Sequence, residues 1–295
     1  MASLMKFEAI GTSWKITIDD AIATEREAEL LELIRARIEI FDKHYSRFRS
    51  DSLVMEMAAN PGEYELPSDV KPLFDLYQEA YELTGGLVTP LIGQLLSDAG
   101  YDAEYSLTPK DELEAPPSWG EALIYAYPKL TVLSPVLIDV GAAGKGYLVD
   151  IVSDIIKAFG ISSFCVNAGG DIYAYSAEEK GVRVALEHPD DATQAIGVAT
   201  IVNESICGSS GNRRAWGEFH HIISPETLTS PRHISAVWTT AKTALLADIL
   251  TTCLFFVSPA KLSAQYPYQY LIVYTDHTVE KSAGFPAELF TETQL

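Results

Sequence analysis

The 295-residue sequence predicts an α+β fold in which mixed or antiparallel sheets are flanked by helices. Segments with the two-residue period of strands alternate irregularly with segments of helical period, whereas a doubly wound parallel sheet would alternate them regularly. Several strand segments are separated by turns rich in Gly, Asn and Pro, which is typical of hairpins. No repeat, low-complexity segment or linker divides the chain, so residues 1–295 are predicted to form a single domain.

The first predicted elements are a strand and a long helix. Residues 7–18 alternate enough to form one strand, with Gly11–Thr12 as a bulge or a close backbone approach. Thr24 and Glu27 have the spacing of a capping box. They open a helix that runs towards His44 and carries apolar residues on one face.

A second helix and a polar segment follow. Ser68 is expected to cap this helix, and Gly85–Gly86 ends it. The polar segment 101–120 is predicted to be a surface excursion. The remaining predictions are strands at 131–139, 164–167, 183–187, 195–207, 220–224 and 234–239, helices at 147–159 and 242–257, and a closing hairpin at 270–274 and 278–282.

The charge balance narrows the classes of partner. The chain has 21 Lys and Arg against 41 Asp and Glu, which gives a net charge of −20. Because no basic field is available to collect phosphates, neither a nucleic acid nor an anionic membrane is expected as a partner. A phosphate-bearing small molecule remains compatible, since backbone amides or a divalent cation can hold it.

The same sequence predicts a cytoplasmic protein without membrane insertion. Its three cysteines are far apart and form no CxxC pair, which fits a reducing compartment. The first residues lack a basic region followed by an apolar one, so no signal peptide is predicted. The most apolar stretch, residues 244–257, is interrupted by Asp248 and is too short to span a bilayer.

Four glycine-rich turns follow apolar strands, and the most informative one runs from Asp139 to Gly146. Glycines between a strand and a helix let the backbone approach a ligand, and the first amides of the helix point at any anion there. Lys145 adds a positive charge and Asp139 adds an acceptor. The turn is neither a Walker A loop nor a GxGxxG motif. A tight connection is one reading, but several such turns in one chain favour a nucleotide or phosphate ligand.

Asp248 is the second signal, because it lies inside an apolar helix. A carboxylate there is costly to desolvate unless it is paired or bound to a cation. Thr252 lies four residues later on the same helix face, so both side chains could meet one ion. Oxygen ligands of this kind select Mg²⁺ or Ca²⁺ over zinc. The alternative is an Asp that accepts hydrogen bonds from the backbone of a neighbouring turn.

Two pairs of polar residues leave their roles open. His is the commonest general acid or base near neutral pH, but His220–His221 on a strand is also compatible with one structural and one exposed side chain. Arg213–Arg214 is either a solvated loop or a clamp on a phosphate or carboxylate. No GxSxG elbow surrounds Ser209 and Ser210, so nothing specific supports a hydrolase triad.

The order of these blocks resembles that of the ApbE family of flavin transferases, which cleave FAD and attach FMN covalently to a Thr or Ser of a target flavoprotein. The most specific blocks are Asp-x-Gly-x-x-x-Lys-Gly-Tyr-x-x-Asp and Ala-Asp-x-x-x-Thr. The matching segments cover most of the chain and lie at residues 10–12, 46–52, 84–90, 138–150, 166–171, 209–211, 221–225 and 247–252.

The resemblance implies a role for each matched position. A Mg²⁺ ion would be bound by Asp248, Thr252 and the backbone carbonyl of Ala142, and His221 would be a general base or an orienting group. Phe48 would stack on a ring, and Asp139 and Lys145 would contact the flavin nucleotide. The residues assigned to FAD are Ile10, Phe48, Thr89, Asp139, Lys145 and Ile223.

The predicted function is therefore that of a Mg²⁺-dependent FAD:protein FMN transferase, with FAD as substrate and a target flavoprotein as partner. Family members commonly carry carboxylates where this chain has Thr89 and Ser224, and loss of an orienting carboxylate weakens catalysis more than binding. Two alternatives follow, an FAD pyrophosphatase and a non-catalytic FAD carrier. Replacing Lys145 by Ala is expected to weaken FAD binding and to leave the fold intact.

Overall fold

The structure is a computed structural model that describes residues 3–212 and 214–290. Its helices are α1 (Thr24–Tyr45), α2 (Leu53–Ala59), α3 (Lys71–Thr84), α4 (Gly93–Asp98), α5 (Trp119–Ala122), α6 (Gly144–Ala158), α7 (Ala244–Cys253) and α8 (Pro259–Ser263), with a 3₁₀ turn at Pro90–Ile92. Its strands are β1 (Ser3–Ala9), β2 (Thr12–Ile18), β3 (Gly62–Glu65), β4 (Leu123–Ala126), β5 (Lys129–Val132), β6 (Ser163–Ala168), β7 (Asp171–Ser176), β8 (Val182–His188), β9 (Asp191–Ile201), β10 (Glu204–Ser210), β11 (Ala215–Trp216), β12 (Phe219–His220), β13 (Ile234–Ala241), β14 (Gln269–Tyr274), β15 (Val279–Lys281) and β16 (Ala287–Leu289).

An eight-stranded sheet with the order β1-β2-β6-β7-β10-β13-β14-β15 forms the centre of the fold. Two three-stranded sheets have the orders β16-β9-β8 and β3-β5-β4, and β11 pairs with β12. Every strand pairing recorded within the described ranges is antiparallel. The predicted α+β class is therefore confirmed.

The large sheet separates two apolar layers. Trp14, Ile16 and Ile18 of β2 are fully buried in the layer that also contains the apolar faces of α1, α6 and α7. On the opposite face, Ile172 of β7 and Ile206 of β10 pack against the β16-β9-β8 sheet. Because successive side chains of a strand point to opposite faces, each central strand supplies both layers.

The first predicted strand is wrong in one respect, because residues 3–18 form a hairpin and not a single strand. The turn lies at Ile10 and Gly11, which have φ angles of 44° and 69°. Both angles are in the left-handed region, so neither residue continues a strand. Both arms of the hairpin have the two-residue hydrophobic period of a strand, so the sequence pattern alone does not reveal the turn between them.

Both predicted N-caps are wrong, although the helices themselves are confirmed. Helix α1 begins at Thr24 with Ala23 as its N-cap and without a side-chain cap bond. Helix α3 has Val70, not Ser68, as its N-cap and carries a proline in its first turn, where a missing N–H costs nothing. Gly85 ends this helix in the left-handed conformation, as predicted.

Three predicted strands are shorter than expected. Asn203, at a φ of 52°, turns the chain between β9 and β10, so residues 195–207 are two strands. The strand predicted from residue 131 ends at Val132, and the one predicted at 220–224 is reduced to Phe219–His220. The helices α6 and α7 and the β14–β15 hairpin are confirmed. The elements that were not predicted are β3, β4, β7, β11, β16, α2, α4, α5, α8 and the 3₁₀ turn.

Candidate functional site

A cavity of about 710 Å³ opens where the end of α1, the start of α6 and one face of α7 meet. All ten residues that the sequence analysis assigned to a site line this cavity. They are Ile10, Phe48, Thr89, Asp139, Ala142, Lys145, His221, Ile223, Asp248 and Thr252. The fold thus brings together positions from both ends of the chain, and this cavity is the candidate functional site.

Asp139 stands at the beginning of the glycine turn and is held through both carboxylate oxygens. Its Oδ1 accepts a hydrogen bond of 2.6 Å from the N–H of Gly141, and its Oδ2 pairs with Nε of Arg47. Arg47 is only 5% exposed and also donates to Oγ of Ser97 at 3.2 Å. A buried guanidinium needs such a countercharge. Arg47 is therefore a site residue that the sequence analysis missed.

The backbone amides at the start of α6 are largely engaged within the protein. The N–H of Gly144 donates to the carbonyl of Val140 at 2.7 Å, and that of Gly146 donates to Oδ2 of Asp248 at 2.8 Å. The expectation that the first amides of this helix point at an anion is therefore wrong for these two residues. Positive charge at the site comes from side chains more than from the backbone.

Helices α6 and α7 cross in direct backbone contact at Gly146. A Cβ atom there would lie 2.6 Å from Cβ of Asp248 and would overlap the carbonyl oxygen of Ala244, so glycine is required. One turn later, the carboxylate of Asp150 accepts hydrogen bonds of 2.8 Å from the N–H groups of Ala244 and Leu245, and so adds to the N-cap of α7 that Thr243 provides. Burial raises the pKa of Asp150 to about 7, and the two N–H donors oppose that shift.

The predicted metal ligands are close enough to share the cavity wall. Asp248 is 4% exposed, and burial raises its pKa against the opposing effects of Lys145 and the Gly146 N–H. Oδ2 of Asp248 already accepts the Gly146 N–H. The alternative interpretation, in which Asp248 accepts hydrogen bonds from the backbone, is therefore correct for this one oxygen. Thr252 and Ala142 line the same cavity and supply a hydroxyl and a carbonyl.

This donor set consists of oxygen atoms and contains one carboxylate, which fits a hard cation such as Mg²⁺. Within residues 3–212 and 214–290, no three His, Cys, Asp or Glu side chains gather as a metal cluster. Mg²⁺ is commonly held by one or two carboxylates together with substrate phosphates. A cation at this position would therefore take further oxygen ligands from a bound anion.

Lys145 has a structural partner as well as a place in the cavity wall. Its Nζ forms an ion pair with Oδ2 of Asp171, whose side chain is fully buried. The expectation that Lys145→Ala leaves the fold intact is therefore corrected, because the change would leave a buried carboxylate without this cation. Asp171 belongs to a block that the sequence analysis recognised, but no role was assigned to it.

The two adjacent histidines have different surroundings. His220 accepts a hydrogen bond from the Ile222 N–H at Nδ1 and lies 2.9 Å from the Pro231 carbonyl at Nε2, so its role is structural. His221 faces the cavity, and its Nδ1 has no hydrogen-bond partner among the described residues. Burial, together with Arg214, His220 and Lys145, lowers the pKa of His221 to about 3. Its imidazole is therefore neutral at pH 7.

Aromatic rings form one wall of the cavity. Phe48 is 37% exposed and stacks on Tyr105 with ring centroids 5.6 Å apart, while Tyr101 meets it edge-on at 5.5 Å. The guanidinium of Arg47 lies 4.2 Å from the centroid of the same ring. This wall fits a flat ligand ring. Tyr105 was missed because it lies in the irregular segment that joins α4 to α5.

The remaining positions divide into cavity and turn residues. Thr89 lines the cavity, and its hydroxyl accepts the Leu91 N–H at 3.2 Å, which caps the 3₁₀ turn. Ser224 does not line it; its hydroxyl accepts the N–H groups of Glu226 and Thr227 and closes a turn. Family members commonly carry a carboxylate at the position of Ser224. Since Ser224 is not part of the cavity wall, its side chain does not replace such a carboxylate inside the cavity. Ile10 and Ile223 contribute apolar surface.

The sequence leaves Arg213 and Arg214 open between a solvated loop and a clamp on a phosphate or carboxylate. Arg214 lines the cavity, which favours the interpretation as a clamp, whereas Arg213 lies outside the described residues.

None of the helices in the described ranges is both long enough and apolar enough to cross a membrane.

Comparison with known proteins identifies close similarities in sequence. The family model described as the ApbE family matches residues 10–269. The chain is similar to the FAD:protein FMN transferase of Escherichia coli (strain K12), with 25% identity over 294 residues that cover 92% of this chain and 83% of that protein. It is also similar to the FAD:protein FMN transferase of Treponema pallidum (strain Nichols), with 24% identity over 310 residues that cover 93% of this chain and 85% of that protein.

Solved structures show the same architecture. The ApbE protein of Thermotoga maritima superposes with a TM-score of 0.83 at 21% identity, covering 98% of this chain and all of that chain. The flavin transferase ApbE of Vibrio cholerae gives a TM-score of 0.76 at 18% identity, covering 97% and 98% of the two chains. At such identities the superpositions show a shared fold.

Proposed function

Because the chain belongs to the ApbE family, we propose that it is a Mg²⁺-dependent FAD:protein FMN transferase. In this reaction the hydroxyl oxygen of an acceptor Thr or Ser bonds to the FMN phosphorus, the bond to the AMP oxygen breaks, and the hydroxyl proton passes to a base. The observation that supports the proposal best is the convergence of all ten assigned residues on one cavity. The curated relatives named above carry this activity in their names.

The chain's side chains are suited to bind the substrate. Phe48 and Tyr105 offer ring faces on which a flavin or adenine stacks, and base–aromatic stacking contributes about 1–3 kcal/mol per ring. Lys145 and Arg214 supply positive charge beside the position where a pyrophosphate would lie.

Asp248, Thr252 and the Ala142 carbonyl would hold Mg²⁺. When bound, the ion neutralises the phosphate charge and stabilises the charge that develops on AMP as it leaves. Gly146 keeps Asp248 aimed at the cavity through its N–H, and Asp150 fixes the start of α7. The carboxylate is thus oriented before any ligand arrives.

His221 is the candidate base. Its neutral ring and free Nδ1 allow it to accept the proton of an acceptor hydroxyl. Arg214 and Lys145 contribute to its low pKa, and an anionic pyrophosphate beside them would offset their field. His221 is therefore expected to become a stronger base when FAD occupies the cavity.

The proposal is tested by incubating the protein with FAD, Mg²⁺ and a flavin-free form of a flavoprotein that carries FMN in phosphoester linkage. FMN bound covalently to the acceptor, with an equal amount of AMP, is the expected result. Free FMN with AMP would identify an FAD pyrophosphatase. Unchanged FAD that stays bound would identify a carrier.

The metal assignment is tested by two variants at one position. Asp248→Asn keeps an oxygen that accepts the Gly146 N–H, whereas Asp248→Ala leaves that N–H unpaired at a cost of about 1–3 kcal/mol. If Asp248 binds Mg²⁺, both variants lose Mg²⁺-dependent AMP release, but only the Ala variant melts at a clearly lower temperature. An Asn variant that retains the activity per folded molecule would contradict the assignment.

A further inference from the structure

A second cavity of about 770 Å³ lies on the other face of the large sheet. Its floor is formed by the side chains of β2 and β6 that point away from the helices, among them Ser13, Lys15, Thr17 and Asn167. The alternate residues of β2 are the buried Trp14, Ile16 and Ile18. The floor is therefore a polar sheet surface beside the apolar area that the β16-β9-β8 sheet covers. We refer to this cavity as the β8 groove.

The wall of the β8 groove is an edge strand. Within the described ranges β8 pairs with β9 and with no other strand, and residues 181–185 and 187–189 line the groove. In an antiparallel edge strand, alternate residues direct their N–H and C=O groups away from the sheet. Extended polypeptides bind such edges by adding a further strand.

The β8 groove adjoins the cavity of the candidate functional site, which we call the nucleotide cavity because we propose that it binds FAD. Gly169, Gly208, Ser209 and Ser210 line both cavities. Gly208 has no side chain, and a Cβ there would lie 2.9 Å from the Trp238 ring. The two cavities thus meet where β6 and β10 end.

The charges of the groove favour an acidic occupant. Among the described residues that line it, Lys15, Lys180 and Arg183 accompany Asp19 and Glu187, which gives three cations against two carboxylates in a protein of net charge −20. Lys180 lies 3.6 Å from Asp19, whereas Lys15 and Arg183 form no ion pair with a described residue. These two cations are available to an incoming segment.

We propose that the β8 groove binds the acceptor segment of the target flavoprotein, as an extended, acidic strand that adds to β8 and delivers its hydroxyl past Ser209 and Ser210 to the FMN phosphorus. This inference rests on the proposed transferase function. The bonds formed and broken are those of the transfer reaction, with AMP as the leaving group and the hydroxyl proton accepted at His221.

The experiment uses threonine-containing dodecapeptides with acidic flanks and a matched set with basic flanks. The test variant is Lys15→Glu/Arg183→Glu, and the control is Lys261→Glu/Lys281→Glu, whose positions line neither cavity. Both doubles change the net charge from −20 to −24. Peptide binding is measured by fluorescence polarisation, and transfer is measured as covalent flavin on the peptide.

The wild type and the control should prefer acidic peptides. The test variant should bind and label them about tenfold less well and should bind the basic set better, because attraction becomes repulsion. FAD affinity and AMP release without peptide should stay within about twofold of wild type, since neither residue lines the nucleotide cavity.

The outcomes separate the two proposals. Equal peptide binding by the test and control variants, or no preference for acidic peptides in the wild type, would overturn the groove assignment. If the wild type transfers FMN neither to peptides nor to a protein acceptor, the proposed function fails. Polarisation then still decides on the groove, because it requires no FAD.

Discussion

The ion pair between Lys145 and Asp171 provides the sharpest test of how this site combines stability and binding. The side chain of Asp171 is fully buried and that of Lys145 is 21% exposed. No other ion pair reaches this carboxylate from the described part of the chain. Lys145→Ala would therefore leave a buried charge without its cation and would also remove a positive charge from the cavity of the candidate functional site.

The size of the effect follows from this burial. Removing one partner of a buried ion pair costs about 3–5 kcal/mol, and the partial exposure of Lys145 places the expected loss near the lower end. Because the unfolding entropy is about 2.1 cal/mol/K per residue, a loss of about 3 kcal/mol lowers the melting temperature of a 295-residue protein by roughly 5 °C. In Lys145→Ala/Asp171→Asn both charges are absent, so most of the stability lost in the single variants Lys145→Ala and Asp171→Asn should return.

Urea denaturation of the wild type, both single variants and the double variant gives the coupling free energy. FAD titration, followed by quenching of flavin fluorescence at a temperature where all four proteins are folded, gives the affinity. The double variant should regain stability and still bind FAD weakly. FAD binding of wild-type strength by the double variant would exclude Lys145 from the site, and additive single effects would show that the ion pair does not stabilise the fold.

Three further changes test the supporting contacts. Gly146→Ala should lower the urea midpoint and the AMP-release rate, because its Cβ would push α7 away, whereas Gly120→Ala, with open space around it, should do neither. Asp150→Ala should cost about 1–2 kcal/mol in urea denaturation by uncapping α7, and loss of activity with unchanged stability would contradict this role. The pKa of His221 is lowered to about 3 when folded, so its contribution to stability is complete above pH 6.5 and is lost as the pH falls towards 3. His221→Asn should therefore flatten the dependence of the urea midpoint on pH across that interval.

The sequence predicts which residues meet in one cavity better than it predicts the contacts between them. Asp139, Lys145 and Asp248 attract attention because charged residues beside glycine turns or inside an apolar helix need a physical explanation. The family resemblance then adds residues such as Phe48 and Ile223, whose types alone carry no signal. The structure brings all of these positions to one cavity.

The contacts that were missed depend on burial and distance, which local sequence does not report. Arg47 and Arg49 alternate in one short basic segment, yet Arg47 is buried against Asp139 while Arg49 pairs at the surface with Glu39, Asp42 and Asp51. The hairpin turn at Ile10 was missed for a related reason. Ile10 has a φ of 44°, which is rare for a β-branched residue, so its residue type gives no indication of the turn.

The long glycine-containing block, residues 139–150, also has structural roles that its resemblance to the ApbE family block does not reveal. Gly146 permits the crossing of α6 and α7 and donates its N–H to Asp248, Tyr147 donates its hydroxyl hydrogen to the carbonyl of Asp69, and Asp150 caps α7. These three contacts dock α6 to its neighbours and orient the candidate metal ligand. Because Lys145 is adjacent in sequence to these docking residues at the start of α6, fold stability and ligand geometry in this block are coupled, and substitutions here should be judged by measuring both.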